Sequence, residues 1–167
     1  MNLSIHIDTS VAVLEGKGPA VIQTGLDGFV SEAVAFLQAE VMKRTPQGVF
    51  GAQAGLLGSI QSEVIGKGTP VIKGVVMSAQ KYAEVIEKGR TAGKGMPPKG
   101  SLVRWLEVKL GLDAQTAARI EFVVRRKIGR RGFEGAHMFE KAVTENQGKL
   151  DAMAERWGLK IATELDR

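Results

Sequence analysis

Apolar residues recur every three or four positions over residues 21–44, a spacing that places them along one side of an α-helix. Pro46 disfavours helical geometry at Thr45, so we expect this helix to end at about residue 44. Its apolar positions are Leu26, Phe29, Val30, Ala33, Val34, Leu37 and Val41. The pattern therefore predicts a long helix near the N-terminus.

The same spacing predicts two helices in the middle of the chain. Ser101 can cap a short helix that ends near Leu110, and Asp113 can cap a longer one over about 114–130. The short helix is expected to bury four apolar residues, namely Leu102, Trp105, Leu106 and Leu110.

A last helix is predicted over about 138–165. Gly148 and Gly158 weaken it, each by roughly 1 kcal/mol relative to alanine. Its apolar face consists of Phe139, Ala142, Val143, Leu150, Met153, Trp157 and Ile161.

Strands are predicted in the first half of the chain. Alternating apolar residues favour a strand over 3–7. β-branched residues favour two more strands, over 58–65 and 71–78, joined through a turn at 66–70 that contains glycine and proline. The two later strands should form a hairpin.

Glycine and proline mark two loops, over 46–57 and 88–100, which we expect to be flexible. Residues 82–88 fit one turn of helix that Gly89 closes. The predicted class is α+β, in which a long N-terminal helix and C-terminal helices pack on a small antiparallel sheet or hairpin. The length fits a single domain, 1–167.

The composition indicates the class of protein and excludes some kinds of site. With 44% apolar and 25% charged residues, the chain is typical of globular proteins. No apolar run approaches the roughly 20 residues that cross a bilayer, and the first ten residues lack the pattern of a signal peptide, so no membrane partner is expected. The absence of cysteine excludes disulfides and thiolate metal sites.

The positive charge is concentrated in the middle of the chain. Residues 81–131 contain thirteen basic and five acidic residues, a net +8, whereas the whole chain is +5. Between Lys88 and Arg104 there is no acidic residue at all. Such asymmetry suggests an anionic partner, usually nucleic acid, although lysine and arginine also keep surfaces soluble.

The predicted helix over 114–130 separates apolar from cationic residues. At 100° per residue, Arg119, Arg126 and Arg130 lie opposite the apolar arc, and Phe122 and Val123 flank them. Three interpretations stay open: phosphate contact without base readout, a solvated surface, or an inter-subunit salt-bridge surface. The apolar arc is Ala117, Ile120, Val124 and Ile128. The candidate contacts to DNA or to another subunit are Arg119, Arg125, Arg126, Lys127, Arg130, Arg131, Lys94 and Lys99.

The sequence offers no catalytic, cofactor-binding or metal-binding residue. His6 and His137 are far apart and form no pair with metal-ligand spacing, and the two Gly-Lys-Gly segments lack the order of a phosphate-binding loop. Glu87, near Tyr82, has no identifiable base or nucleophile beside it, so a structural or interface role is favoured. We therefore expect that the protein is not an enzyme and binds no cofactor. The one enzymatic alternative is a hydrolase with an unrecognised site.

An ordered set of short motifs resembles one family of viral proteins. It begins with Thr45-Pro46, Gly55-Leu56, Ser59-Ile60, Tyr82-Ala83, Ile86-Glu87 and Gly89, and continues with Pro97-Pro98, Leu102, Trp105, Lys109, Gly132 and Phe139. In this order the motifs resemble the neck or tail-completion proteins of long-tailed double-stranded DNA bacteriophages, often described as minor tail components. The resemblance covers about residues 26–165.

The resemblance implies a structural protein of the head–tail junction, with no reaction catalysed. It implies a tail-completion or tail-terminator component that joins other copies of itself in a ring, a hexamer being one arrangement, and contacts head-connector and tail-tube proteins. Duplex DNA in the channel would be a further partner. The protein would be assembled in the host bacterial cytoplasm and located in the virion. The matching structural residues are Gly55, Leu56, Ser59, Tyr82, Glu87, Gly89, Pro97 and Trp105.

Two departures from the family pattern affect its contacts more than its fold. The loop before Gly55 is longer than usual, with Leu57-Gly58 after the Gly-Leu pair in place of a basic residue, and Arg90 stands where threonine is common. An alternative from another class is a stand-alone basic nucleic-acid-binding module that uses the same cationic helix.

Overall fold

The computed structural model describes residues 3–8, 18–48 and 55–165, and the predicted α+β class is confirmed. By their internal contacts the residues divide into two compact units. Unit 1 comprises Met1–Arg44, Ile60–Ser78 and Met138–Arg167, and unit 2 comprises Thr45–Ser59 and Ala79–His137. That 1–167 is one domain stays a prediction.

Unit 1 contains a three-stranded antiparallel sheet. Its strands are β1 (Leu3–Asp8), β2 (Ile60–Ile65) and β3 (Val71–Ser78), in the order β1-β3-β2. The predicted hairpin pairs Ile60 with Ser78, and β1 pairs with the other side of β3. The strand predicted from residue 58 was wrong at its start, because the chain forms one helical turn, α2 (Gly55–Gly58), before β2 begins.

Helix α1 (Gly18–Arg44) packs on this sheet, and its end is where Pro46 predicts it. Gly74 of β3 faces the helix so closely that a Cβ there would lie 2.0 Å from Cγ2 of Val34. Among the described helices, α1 is the one long and apolar enough to cross a bilayer, a criterion that the core helices of soluble proteins also meet. Its buried apolar side chains are Val30, Ala33, Val34, Leu37 and Val41.

The predicted last helix is two helices, α6 (Met138–Thr144) and α7 (Gln147–Leu165). At the break, the buried Asn146 donates from Nδ2 to the Ala142 carbonyl at 3.0 Å and to Oε2 of Glu40 at 3.3 Å. The apolar periodicity continues across the break, so it does not reveal the interruption. The interruption places Asn146 against the carboxylate of α1.

The predicted apolar face of α7 lies against α1. Cβ atoms at Gly25 and Gly28 would come within 2.2 Å of the Ile161 and Trp157 side chains. Glycine at both positions therefore allows the two helices to approach closely. Trp157 Nε1 also donates to Oε2 of Glu32 at 2.8 Å, so its polar atom is satisfied.

Unit 2 contains a two-stranded ladder and three further helices. Strands β4 (Gly89–Arg90) and β5 (Phe133–Glu134) pair antiparallel, and Gly132 adjoins them with a φ of 66°. A Cβ at Gly132 would lie 1.9 Å from the Arg90 carbonyl oxygen, so only glycine allows this approach. The helices are α3 (Ala83–Lys88), α4 (Val103–Leu110) and α5 (Ala114–Arg131).

One of the two predicted helix caps is observed and the other is not. Asp113 caps α5 by accepting the Gln115 and Thr116 amides, as predicted. Ser101 was wrongly predicted as a cap: its hydroxyl donates to the Pro98 carbonyl, three residues back along the chain. Of the predicted loop 46–57, residues 49–54 lie outside the described residues and its last part is α2.

The buried side of α4 is narrower than the sequence predicts. Leu106 is fully buried, but Trp105 and Leu110 are 40% and 56% exposed, so their predicted burial was wrong. An eight-residue helix presents little more than two turns, and one leucine is enough to anchor it.

Candidate functional site

Helix α5 presents a cationic surface on its outward side. Ala117, Glu121 and Gly129 are buried on its inward side, whereas the predicted arginines Arg119, Arg126 and Arg130 are exposed. The predicted division between an apolar and a cationic face is confirmed. Lys127 and Arg131 are also exposed, and we call Arg119, Arg126, Lys127, Arg130 and Arg131 the cationic stripe.

Within the ranges that the structure describes, no residue of the cationic stripe has an acidic partner within 4 Å. Some basic residues elsewhere do have acidic partners: Arg44 pairs with Glu40 and Glu145, and Arg156 pairs with Glu32. The stripe is therefore a concentration of uncompensated charge, which favours an anionic or acidic partner.

Glu121 is the only carboxylate of α5, and it does not neutralise the stripe. It is 4% exposed, and its Oε1 accepts the backbone N–H of Leu102 at 3.2 Å. The Glu121 carboxylate thus accepts a backbone N–H at the start of α4, the role of a cap that the sequence predicts for Ser101.

The predicted loop 88–100 begins with the end of α3 and with β4, and its remainder, 91–100, is held by arginines of its own chain. Arg90 donates through Nη2 to the Lys94 carbonyl, and Arg125 donates through Nε to the Pro97 carbonyl at 2.7 Å. The Gly93 amide donates to the Gly129 carbonyl at 2.9 Å. These bonds give the loop a defined course within its own chain, and its predicted flexibility stays a prediction.

These bonds also separate Arg125 from the other candidate contacts. Its Nε is bonded to the loop and its side chain is partly buried, so we do not include it in the cationic stripe, and its role as a contact residue stays a prediction. Lys94 and Lys99 remain exposed on the same loop, as predicted for contact residues.

Apolar side chains are interleaved with the cationic stripe. Arg126 and Arg130 border two shallow depressions, one beside Phe122 and Met96 and the other beside Val123. Phe122, Val123 and Met96 are 53%, 64% and 46% exposed. A partner that covers this surface must therefore provide both negative charge and apolar contact.

All eight residues of the family motif belong to unit 2. Gly55 has a φ of 74°, and Ser59 Oγ donates to the Leu56 carbonyl at 2.7 Å, which closes the turn of α2. Leu56 and Glu87 are buried, whereas Tyr82 is 45% exposed. Gly89, with a φ of 75°, ends α3, as predicted, and the two remaining motif residues are Pro97 and Trp105.

No metal site is evident in the part of the chain that the structure describes, where no group of three or more histidine and acidic side chains lies together. The His137 amide donates to the Glu87 carbonyl at 3.1 Å, next to the short ladder. The side chain of His6 lies outside the described residues.

The sequence did not reveal that β2 is an edge strand. In the described ranges β2 pairs with β3 alone, and Gln61, Ser62 and Glu63 are exposed. The order β1-β3-β2 depends on the N-terminal strand joining β3, and local patterns do not specify that pairing.

No family model, no curated protein and no solved structure matches this chain. The resemblance to phage neck proteins therefore stays a prediction from the sequence.

Proposed function

We propose that this chain is a structural protein of the bacteriophage head–tail junction, a tail-completion or tail-terminator component that assembles with copies of itself and binds head-connector and tail-tube proteins. The observation that carries the proposal is the cationic stripe with its exposed apolar neighbours Phe122, Val123 and Met96. A surface that combines unpaired charge with exposed apolar side chains is typical of an interface that another molecule covers.

The edge of β2 supports the same proposal. An edge strand leaves backbone amides and carbonyls without a strand partner, and assembly is one way to cover them. Closing a ring removes such exposed edges from every subunit.

Genetic complementation tests this function. A phage from which the gene is deleted should produce filled heads and separate tails, visible by electron microscopy, and the wild-type gene supplied in trans should restore joined particles. Arg126→Glu with Arg130→Glu should restore few joined particles. The matched control is Lys67→Glu with Lys81→Glu, which reverses two exposed charges outside the stripe. Normal infectious particles after deletion would exclude the proposal.

A second candidate is the stand-alone duplex-binding module, which the stripe favours because none of its five cations has an acidic partner among the described residues. Fluorescence anisotropy with a short duplex should then show an affinity that falls steeply between 50 and 200 mM salt, with a slope near −0.9 per phosphate contacted. Arg126→Glu should lower that slope, and Lys81→Glu should leave it unchanged. Equal affinity for wild type and the Arg126→Glu variant would exclude this candidate.

A further inference from the structure

An outward strip of α7 carries carboxylates and an exposed leucine. Asp151, Glu155 and Leu159 follow one another at four-residue intervals, so they lie along one side of the helix, and all three are exposed. Leu159 is 72% exposed, the largest fraction among the large apolar side chains that the structure describes. We call these three residues the acidic strip.

The cations of α7 are engaged within unit 1, so they do not neutralise the acidic strip. Arg156 pairs with Glu32 of α1, and the Lys160 Nζ lies 4.4 Å from the centre of the Trp157 ring. Asp151 accepts a bond from the neutral Gln147 side chain at 3.1 Å, which leaves its charge uncompensated.

The acidic strip and the stripe of α5 match in reverse order. Along α5 an apolar pair, Phe122 and Val123, precedes Arg126 and then Arg130, at steps of three or four residues. Along α7 the order is carboxylate, carboxylate, apolar, at steps of four. Eight residues of helix span about 12 Å in both cases, so antiparallel packing brings each group opposite its complement.

We propose that α7 of one copy packs antiparallel on α5 of the next copy. Asp151 then lies opposite Arg130, Glu155 opposite Arg126, and Leu159 against Phe122 and Val123. The contact joins two different surfaces, so its repetition builds a ring when the rotation closes. This inference rests on the proposed function, whose subunit contact it specifies.

Charge and apolar area both favour a second copy as the occupant. Unit 1 contains ten basic and twelve acidic residues, and unit 2 contains thirteen basic and six acidic residues, a difference in sign that favours contact between unit 1 of one copy and unit 2 of another. Phosphate groups of DNA would pair with the arginines but would leave Phe122 and Val123 uncovered. A complementary helix covers charge and apolar surface together.

A charge-swap experiment tests the contact by sedimentation velocity. Arg126→Glu with Arg130→Glu, and separately Asp151→Lys with Glu155→Lys, should each weaken self-association about ten-fold or more, because two attractions become repulsions. An equimolar mixture of the two variants should assemble again, and so should a chain with all four substitutions. The control Lys67→Glu with Lys81→Glu should assemble like wild type.

The outcomes separate this inference from the proposed function. A wild-type chain that assembles while both charge variants assemble equally well would overturn the α5–α7 contact and leave the head–tail role to the complementation experiment. Failure of the mixture and of the four-fold variant to assemble would also overturn it. A loss of duplex binding in the Arg126→Glu, Arg130→Glu chain, with assembly unchanged, would assign the stripe to nucleic acid.

Discussion

The buried carboxylate of Glu40 should make the stability of unit 1 depend strongly on acid. Its oxygens accept bonds from Lys43 at 2.6 Å and Arg44 at 2.5 Å, and Asn146 adds a third at 3.3 Å. The bond from Lys43, followed by that from Arg44, lowers the pKa of Glu40 from 4.5 to about 2. As the pH falls, Glu40 is protonated in the unfolded chain at a higher pH than in the folded chain. The stabilisation from this carboxylate is therefore complete above pH 4.5 and is lost as the pH falls toward 2.

The contribution of Glu40 to the free energy of unfolding follows from the size of its pKa shift. About 2.5 pKa units correspond to about 3 kcal/mol, and the exposure of Lys43 reduces this toward about 2 kcal/mol. Glu40→Gln should therefore lower the free energy of unfolding at pH 7 by about 2–3 kcal/mol. The difference from wild type should shrink steadily below pH 4.5 and nearly vanish near pH 2.

Urea denaturation at several pH values measures this difference. Trp157 fluorescence in a Trp105→Phe background reports on unit 1 alone. Glu63→Gln, a change at an exposed carboxylate of β2, is the matched control and should leave the acid dependence of stability unaltered. A difference between wild type and Glu40→Gln that stays constant from pH 7 to pH 2.5 would refute the reasoning.

Four glycine substitutions give three further predictions, each measurable as a change in melting temperature. Gly74→Ala should destabilise unit 1 by about 1–3 kcal/mol, because its Cβ would collide with the buried Val34. Gly132→Ala should destabilise unit 2 more than Gly111→Ala, since both have positive φ but only Gly132 meets facing backbone; equal losses would contradict this. Gly148→Ala has open space in α7 and should stabilise the protein by up to about 1 kcal/mol, and a loss would contradict its exposed helical position.

Elements with a long repeating pattern were predictable from the sequence. The end of α1 before Pro46 and the Asp113 cap of α5 follow from local chemistry, and both are confirmed. The break between α6 and α7 was missed because its cause is not local. Asn146 meets Glu40, which lies 106 positions earlier in the chain.

The short ladder of unit 2 was missed for a related reason. Two residues in each strand give no alternation to detect, and the close approach depends on Gly132 and its partner segment. For the candidate site, the sequence identified the cationic side of α5. It did not show that Arg125 binds the Pro97 carbonyl, because exposed and committed arginines look alike in a sequence.

The loop over 91–100 takes its shape from main-chain oxygens. The two arginines that hold it bind the carbonyls of Lys94, Gly95 and Pro97, and none of these bonds uses a side chain of the loop. Point changes at exposed positions such as Thr91 or Ala92 should therefore accumulate without altering the loop's course. A segment of this kind can diversify its outward chemistry during evolution and still present it at a constant position.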